Sequence, residues 1–237
     1  GEPLRPADGR RVNAIACTTL NSHPVAVTAT HAIGSGSALW VWDLATGRQI
    51  GEPLRPADGR RVNAIACTTL NSHPVAVTAT HAYGSDAEDA LLVWDLTTGR
   101  QIGKPLQASG APARTVVCTT LDNHPIALTS GDGEMCVWDL TTGRQIGDPL
   151  YTPDGAPVNA LACATFNGGA VAVTGTTAST VHVWDIRARR PTQSFLAPGI
   201  EALEISPDGS LVLSLGLDVA VLQRQSGQHA DPWWRSR

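Results

Sequence analysis

The chain is nearly devoid of lysine: Lys104 is the one lysine among 17 basic residues, and arginines scattered through every part of the sequence supply the rest. Charged residues make up only 16% of the 237, and the formal net charge is -4, so the overall balance predicts neither nucleic acid nor a membrane surface as partner. Long apolar runs are missing too. Stretches such as Pro24 to Thr28 and Leu211 to Leu217 fall far short of the roughly 18–20 residues that cross a bilayer. No secretory signal opens the sequence. It begins on Gly1 and its only methionine is Met135, which predicts that the translation start, and any signal or anchor with it, lies upstream.

Catalytic motifs are absent as well. There is no G-x-S-x-G elbow, P-loop, H-E-x-x-H, C-x-x-C pair or complete G-x-G-x-x-G, and Gly34-Ser35-Gly36 is too short to stand for the last. Neither enzyme, cofactor nor metal is expected. With 42% apolar residues, the chain nevertheless has enough material and length for a packed core.

What is present is repetition. Gly1 to Ala32 recurs without a change at Gly51 to Ala82. The tripeptide V-W-D appears around Trp42, Trp94, Trp138 and Trp184, at spacings of 52, 44 and 46 residues. A worn fifth copy puts Leu222 in the place of tryptophan, Gln223 in that of aspartate and Ser226-Gly227-Gln228 in that of T-G-R. Repeats therefore run approximately 1–50, 51–102, 103–147, 148–195 and 196–237, in a single region.

Each repeat reads as four strands. In the first, Val12 to Leu20, Pro24 to Ala32, Ala38 to Leu44 and Arg48 to Leu54 are separated by Asn21-Ser22-His23-Pro24, Gly34-Ser35-Gly36 and Thr46-Gly47. The first two strands are runs of small apolar residues, as expected where neighbours cover both faces. Proline recurs in the fourth, at Pro53, Pro105 and Pro149, where its missing N–H can face outward.

Four V-W-D copies at this spacing resemble the WD40 repeat family, and the unit V-W-D-L-x-T-G-R-Q-I-G-x-P-L resembles its bacterial multi-repeat members. The resemblance implies an all-β fold: a β-propeller of four-stranded antiparallel blades, about five in this chain, within a larger, seven-bladed propeller. Its G-H dipeptide is missing, and only Asp132 stands where the family's tight turn between the second and third strands carries aspartate. The family's His-Ser-Asp-Trp hydrogen-bond network is thus not expected in most blades. The opening GEPLRP either supplies the fourth strand of the worn fifth blade, closing a ring, or remains from a lost upstream blade; the second is preferred.

Recurring chemical residues read as scaffold. Cys17, Cys67, Cys118 and Cys163 fall once per repeat and are taken as small core hydrophobes. With Cys136 they make an odd total of thiols, which favours a reducing, cytoplasmic setting. His23, His73 and His124 belong to repeated turns, His182 has no partner motif, and Asp43, Asp95, Asp139 and Asp185 read as structural hydrogen-bonding groups.

Candidate partner-binding residues lie in the unequal loops. Arg10, Arg11, Arg60, Arg61 and Arg114 precede the first strands and would form a basic rim suited to an acidic or phosphorylated peptide. Asp86, Glu88 and Asp89 mark a longer acidic loop, and Trp233 and Trp234 lie in the tail. The expected function is a non-catalytic protein-binding scaffold, the C-terminal sensing or regulatory region of a larger bacterial protein whose upstream domain is a further partner. The alternatives are a lectin-like small-ligand propeller, which the 5% aromatic content disfavours, and an open array completed by self-association.

Overall fold

The computed structural model describes residues 4–6, 9–32, 36–81, 89–107, 113–166, 169–224 and 234–235. Its elements are strands alone among those residues, and none of it is a helix long and apolar enough to cross a membrane. The first sheet holds β1 (Val12–Leu20), β2 (His23–Ala32), β3 (Gly36–Asp43) and β4 (Gln49–Leu54), and the second β5 (Arg61–Leu70), β6 (His73–His81), β7 (Ala90–Asp95) and β8 (Arg100–Gln107). The third holds β9 (Thr115–Leu121), β10 (His124–Ser130) and β11 (Glu134–Asp139), with an outer strand split into β12 (Arg144–Gln145) and β13 (Leu150–Tyr151). The fourth comprises β14 (Val158–Phe166), β15 (Gly169–Thr176), β16 (Thr180–Asp185) and β17 (Arg190–Leu196). The fifth comprises β18 (Ile200–Ile205), β19 (Leu211–Leu215), β20 (Asp218–Arg224) and β21 (Trp234–Arg235).

These five antiparallel sheets are arranged as the blades of a five-bladed β-propeller. The strands of the first blade match the sequence pattern to within two residues at each end. The outer strands of the first, second and fourth blades cross a boundary of the sequence repeat: residue 50 lies inside β4, residue 102 inside β8 and residue 195 inside β17. The turn between the first two strands is tighter than the pattern suggests. It consists of Asn21 and Ser22 alone, at φ 50° and 64°, the type I′ geometry that matches the twist of a hairpin. His23 and Pro24 already belong to β2.

Every blade has a leading face towards the blade before it and a trailing face towards the blade after it. Val27, Leu39, Val41 and Leu54 on the first blade's trailing face pack against Val62, Ile65, Leu92 and Trp94 on the second blade's leading face. The same layering recurs between later blades. The V-W-D tryptophan thus fills the widening wedge between sheets. Its Nε1–H donates to a threonine hydroxyl on the second strand: Trp42 to Thr28 at 2.9 Å, Trp94 to Thr78 at 3.2 Å, Trp138 to Thr129 at 3.1 Å and Trp184 to Thr174 at 3.0 Å. That half of a tryptophan-centred network is present in all four V-W-D blades, although the missing G-H dipeptides give no sign of it.

The T-G-R glycine has a geometric reason. Gly47, Gly99 and Gly143 sit at φ +70°, +69° and +69°, and a Cβ there would come 3.3, 3.3 and 3.1 Å from the Cδ2 of Leu4, Leu54 and Leu106, which lie over them. Leu4 therefore covers the first blade as the outer strands of the first and second blades cover their successors. The described part of its segment does not complete the fifth blade. Residues 4–6 join no strand, and β21 supplies that blade's fourth strand, pairing Arg235 with Gln223 and Trp234 with Arg224.

Successive inner strands pack side by side from β1 to β18, but the first blade does not pack against the fifth as neighbouring blades do, among the described residues. Duplication supplies an internal control. Val12 and Ile15 in β1 are 37% and 61% exposed, whereas Val62 and Ile65, in the identical sequence of β5, are 0% and 8% exposed. At the other end, Val219 and Val221 are 69% and 57% exposed, whereas Leu39 and Val41, at the same register positions of the first blade, are 0% and 5% exposed. The exposure at the two ends of the array is therefore confined to β1 in the first blade, whose Trp40 and Trp42 on the same face are buried, and to the trailing face of the fifth.

Candidate functional site

Each inner strand starts at the same end of its blade, and there it meets the connection between the second and third strands. The two kinds of loop are tied together. Ser37 Oγ accepts the Val62 N–H at 2.9 Å and lies 3.3 Å from His31 Nδ1, while Arg10 Nη1 donates to the Gly36 carbonyl at 3.4 Å. Contact is so close that a Cβ on Gly36 would fall 2.8 Å from the Gly59 Cα. Burial, followed by the nearby Arg61 and Arg10, pushes the pKa of His31 below its usual value, so this histidine is neutral at pH 7 and adds no charge.

The five arginines expected to form a rim have unequal surroundings. Arg11 and Arg61 are exposed. Arg60 is buried and its Nε donates to Asp58 Oδ2. Arg114 Nη2 pairs with Asp132 Oδ1 at 2.8 Å, with both side chains about half exposed. Acid and base therefore alternate around this end. Asp89 is part of that pattern, its Oδ1 lying 2.8 Å from His81 Nδ1. Asp86, Glu88 and Trp233 lie outside the described residues, and Trp234 is placed only by its backbone in β21.

His182, for which the sequence offers no partner, acquires three neighbours in the fourth blade. Its Nδ1 lies 2.7 Å from Ser194 Oγ, and its Nε2 lies 3.2 Å from Asp154 Oδ2, out of line for a hydrogen bond. Its ring meets Trp184 edge-on, with centroids 6.3 Å apart. Thr176 Oγ1 donates to the same Asp154 oxygen at 2.8 Å. The carboxylate comes from the loop entering the fourth blade and the imidazole from its third strand, so the group ties the loop to the wedge. Burial pushes Asp154 up, but the Ala156 N–H, the Thr176 hydroxyl and His182 together outweigh it and hold the carboxyl below its usual value.

At the opposite end the V-W-D aspartates close the turn between third and fourth strands. Asp95 Oδ1 accepts the N–H groups of Thr97 at 2.8 Å and Thr98 at 3.2 Å, and Asp139 accepts those of Thr141 and Thr142 at the same distances. Asp43 does likewise with Ala45 and Thr46. For Asp43 the Thr46 N–H is the main reason that its pKa falls; for Asp95 and Asp139 partial burial pushes upward and the turn's donors together outweigh it. A carboxylate held below its unfolded pKa contributes stability above the usual value of 3.8, and this is lost as pH falls through the folded value. The midpoint of urea unfolding should thus stay flat from pH 7 to about 4 and drop below it, with Asp95→Asn flattening the drop; equal acid sensitivity of that variant would contradict this role.

Burial pushes the Cys67 and Cys163 thiols up to about 12 and Cys136 to about 11, which leaves them protonated and poor nucleophiles at neutral pH. Cys17 differs from the expected core thiol. It is exposed, because no inner strand of another blade packs against β1 on that side as β1 itself packs against β5, among the described residues. No cluster of ligand residues suited to a metal occurs among the described residues.

One cavity has a clear origin in the degenerate fifth repeat. Leu222 stands where the other blades have tryptophan, Leu213 where they have its threonine acceptor, and Ala220 where the first has Trp40. The under-filled wedge leaves about 330 Å³, bordered by Phe195, Leu196 and Ala197 of the fourth blade. Its apolar walls do not match the hydroxyl-rich surface of a sugar.

A β-propeller with a mixed-charge loop end and a hydrogen-bonded scaffold is the class that this geometry defines. No protein-family model matches the chain, and no curated protein matches it significantly.

Proposed function

We propose that this chain is a non-catalytic, WD40-type binding scaffold that holds an acidic or phosphorylated peptide on the loop-bearing end of its blades. The observation carrying this reading is the division of labour among polar side chains. The V-W-D aspartates, the threonines beside the tryptophans and the Asp154–His182 group are occupied by turns and wedges, whereas Arg11 and Arg61 are exposed on one end of adjoining blades. Guanidinium groups at such a place suit bidentate recognition of carboxylate or phosphate. The scaffold would serve as a sensing region of a larger cytoplasmic bacterial protein, a context that rests on the sequence resemblance.

Calorimetric titration with acidic, phosphorylated and basic peptides tests the reading. Arg61→Glu should weaken an acidic ligand at least about tenfold, the loss of one charge-assisted contact, without changing the unfolding midpoint. Unchanged affinity in that variant, or preference for the basic peptides, would overturn it.

A further inference from the structure

We infer that the wedge between the fourth and fifth blades is a binding site for a small, flat aromatic molecule of about two fused rings that carries no hydrogen-bond donor. The site uses neither Arg11 nor Arg61, so it stands independently of the peptide-binding end.

The other blades show what such a wedge is shaped to hold. In the first blade Trp40 and Trp42 stack on the leading face with ring centroids 6.3 Å apart. Thr30 and Thr28, on the neighbouring strand, accept their Nε1–H groups at 3.1 and 2.9 Å. Register fixes the equivalent positions in the fifth blade: Ala220 and Leu222 replace the two tryptophans, and Leu215 and Leu213 replace the two threonines. Trp94, Trp138 and Trp184 fill Leu222's place in the blades between. The fifth blade therefore lacks both indoles of the first, together with both hydroxyls that served them.

Neighbouring side chains do not reclaim the space. Ala220 and Leu222 are only half-buried, whereas Trp40 and Trp42 are 4% and 5% exposed. A cavity of about 330 Å³ persists between these residues and Phe195 of β17. An apolar pocket of about 150 Å³ holds one benzene ring, so this volume has room for two fused rings. Phe195 supplies an aromatic partner for them. Leu196 and Pro198, also on the wall, are exposed, so a ligand can enter without parting the blades.

Polarity selects among two-ring molecules. An indole entering this wedge meets Leu213 and Leu215 where its N–H requires a threonine, and a donor buried without a partner weakens binding. Gln193 is the single polar side chain on the wall among the described residues, and it has an interaction of its own. A hydrocarbon ring system has no donor to satisfy.

Calorimetric titration of the full chain with indene and with indole, which share a ring skeleton and nearly a size, tests the inference. Indene should bind with a dissociation constant below about 1 mM, and indole at least about fivefold more weakly. Leu213→Thr restores an acceptor and should bring the two affinities closer. Ala220→Trp returns the first blade's side chain to the wedge and should weaken indene at least about tenfold. Ala220→Leu, which matches Leu92 of the second blade, should do the same and serves where tryptophan disturbs the fold, with circular dichroism confirming that each variant is folded. A wild-type chain that binds no indene up to saturation would overturn the inference. So would undiminished binding in a folded Ala220 variant, indole bound as tightly as indene, or a ratio that Leu213→Thr leaves unchanged.

Discussion

Replacing Trp94 by alanine should lower the stability of the chain by about 3–5 kcal/mol, the cost of emptying a large aromatic site in a packed interior. Trp94 is buried and belongs to the cluster that joins the first two blades, with Val62, Ile65 and Leu92 among its neighbours. Alanine would open the wedge between the sheets. It would also remove the donor to Thr78 Oγ1, although that hydroxyl retains the Leu92 carbonyl as an acceptor of its own proton at 3.4 Å. Phenylalanine fills much of the space and should cost less than alanine. Against a typical domain stability of about 5–15 kcal/mol, the alanine change is large enough to shift the urea midpoint far down. A loss below about 1 kcal/mol would mean that the tryptophan does not set the spacing of the blades.

Val183→Asp should be more damaging still, preventing stable folding, whereas Val221→Asp should leave stability within about 0.5 kcal/mol of the wild type at concentrations where the chain is monomeric. The two valines occupy the same register position, Val183 opposite Val173 and Val221 opposite Val212. Only their surroundings differ. Val183 is covered by the fifth blade, so a carboxylate there would be buried among Val173, Leu203 and Leu213 without a partner. Val221 faces outward from the last blade. Far-ultraviolet circular dichroism and urea titration of the pair would measure the contrast, and similar losses in both would mean that the last face is covered.

Such contrasts also show where the sequence was informative. The V-W-D spacing, the runs of small apolar residues and the T-G-R turns were enough to place the strands of the first blade, because each reflects local geometry repeated several times. The threonine acceptors were equally regular, since Thr28, Thr78, Thr129 and Thr174 each lie two residues beyond the alanine opposite a V-W-D tryptophan, but that relation exists only once the strands are paired. His182 is legible only in three dimensions, as Ser194 comes from the neighbouring strand and Asp154 from the loop before the blade. The arginines at the loop end look alike in sequence, yet Arg60 is buried beside Asp58 while Arg61 is exposed.

The exposure of β1 and of the fifth blade's trailing face is beyond any local reading, since burial in a repeat array is a property of the neighbour. Ile15 and Ile65 have the same flanking residues for many positions on both sides, and one is exposed while the other is core. Covering an isoleucine of this kind contributes about 1.5–3 kcal/mol, so the same codon change should have different consequences in the two copies.

The most direct measurement is therefore the unfolding free energy of Ile15→Ala beside that of Ile65→Ala, at protein concentrations where the chain is monomeric. Ile65→Ala should cost about 2–5 kcal/mol and Ile15→Ala less than about 1 kcal/mol. Equal losses in both would contradict the exposure of β1, because they would place a covering surface over it as well as over β5.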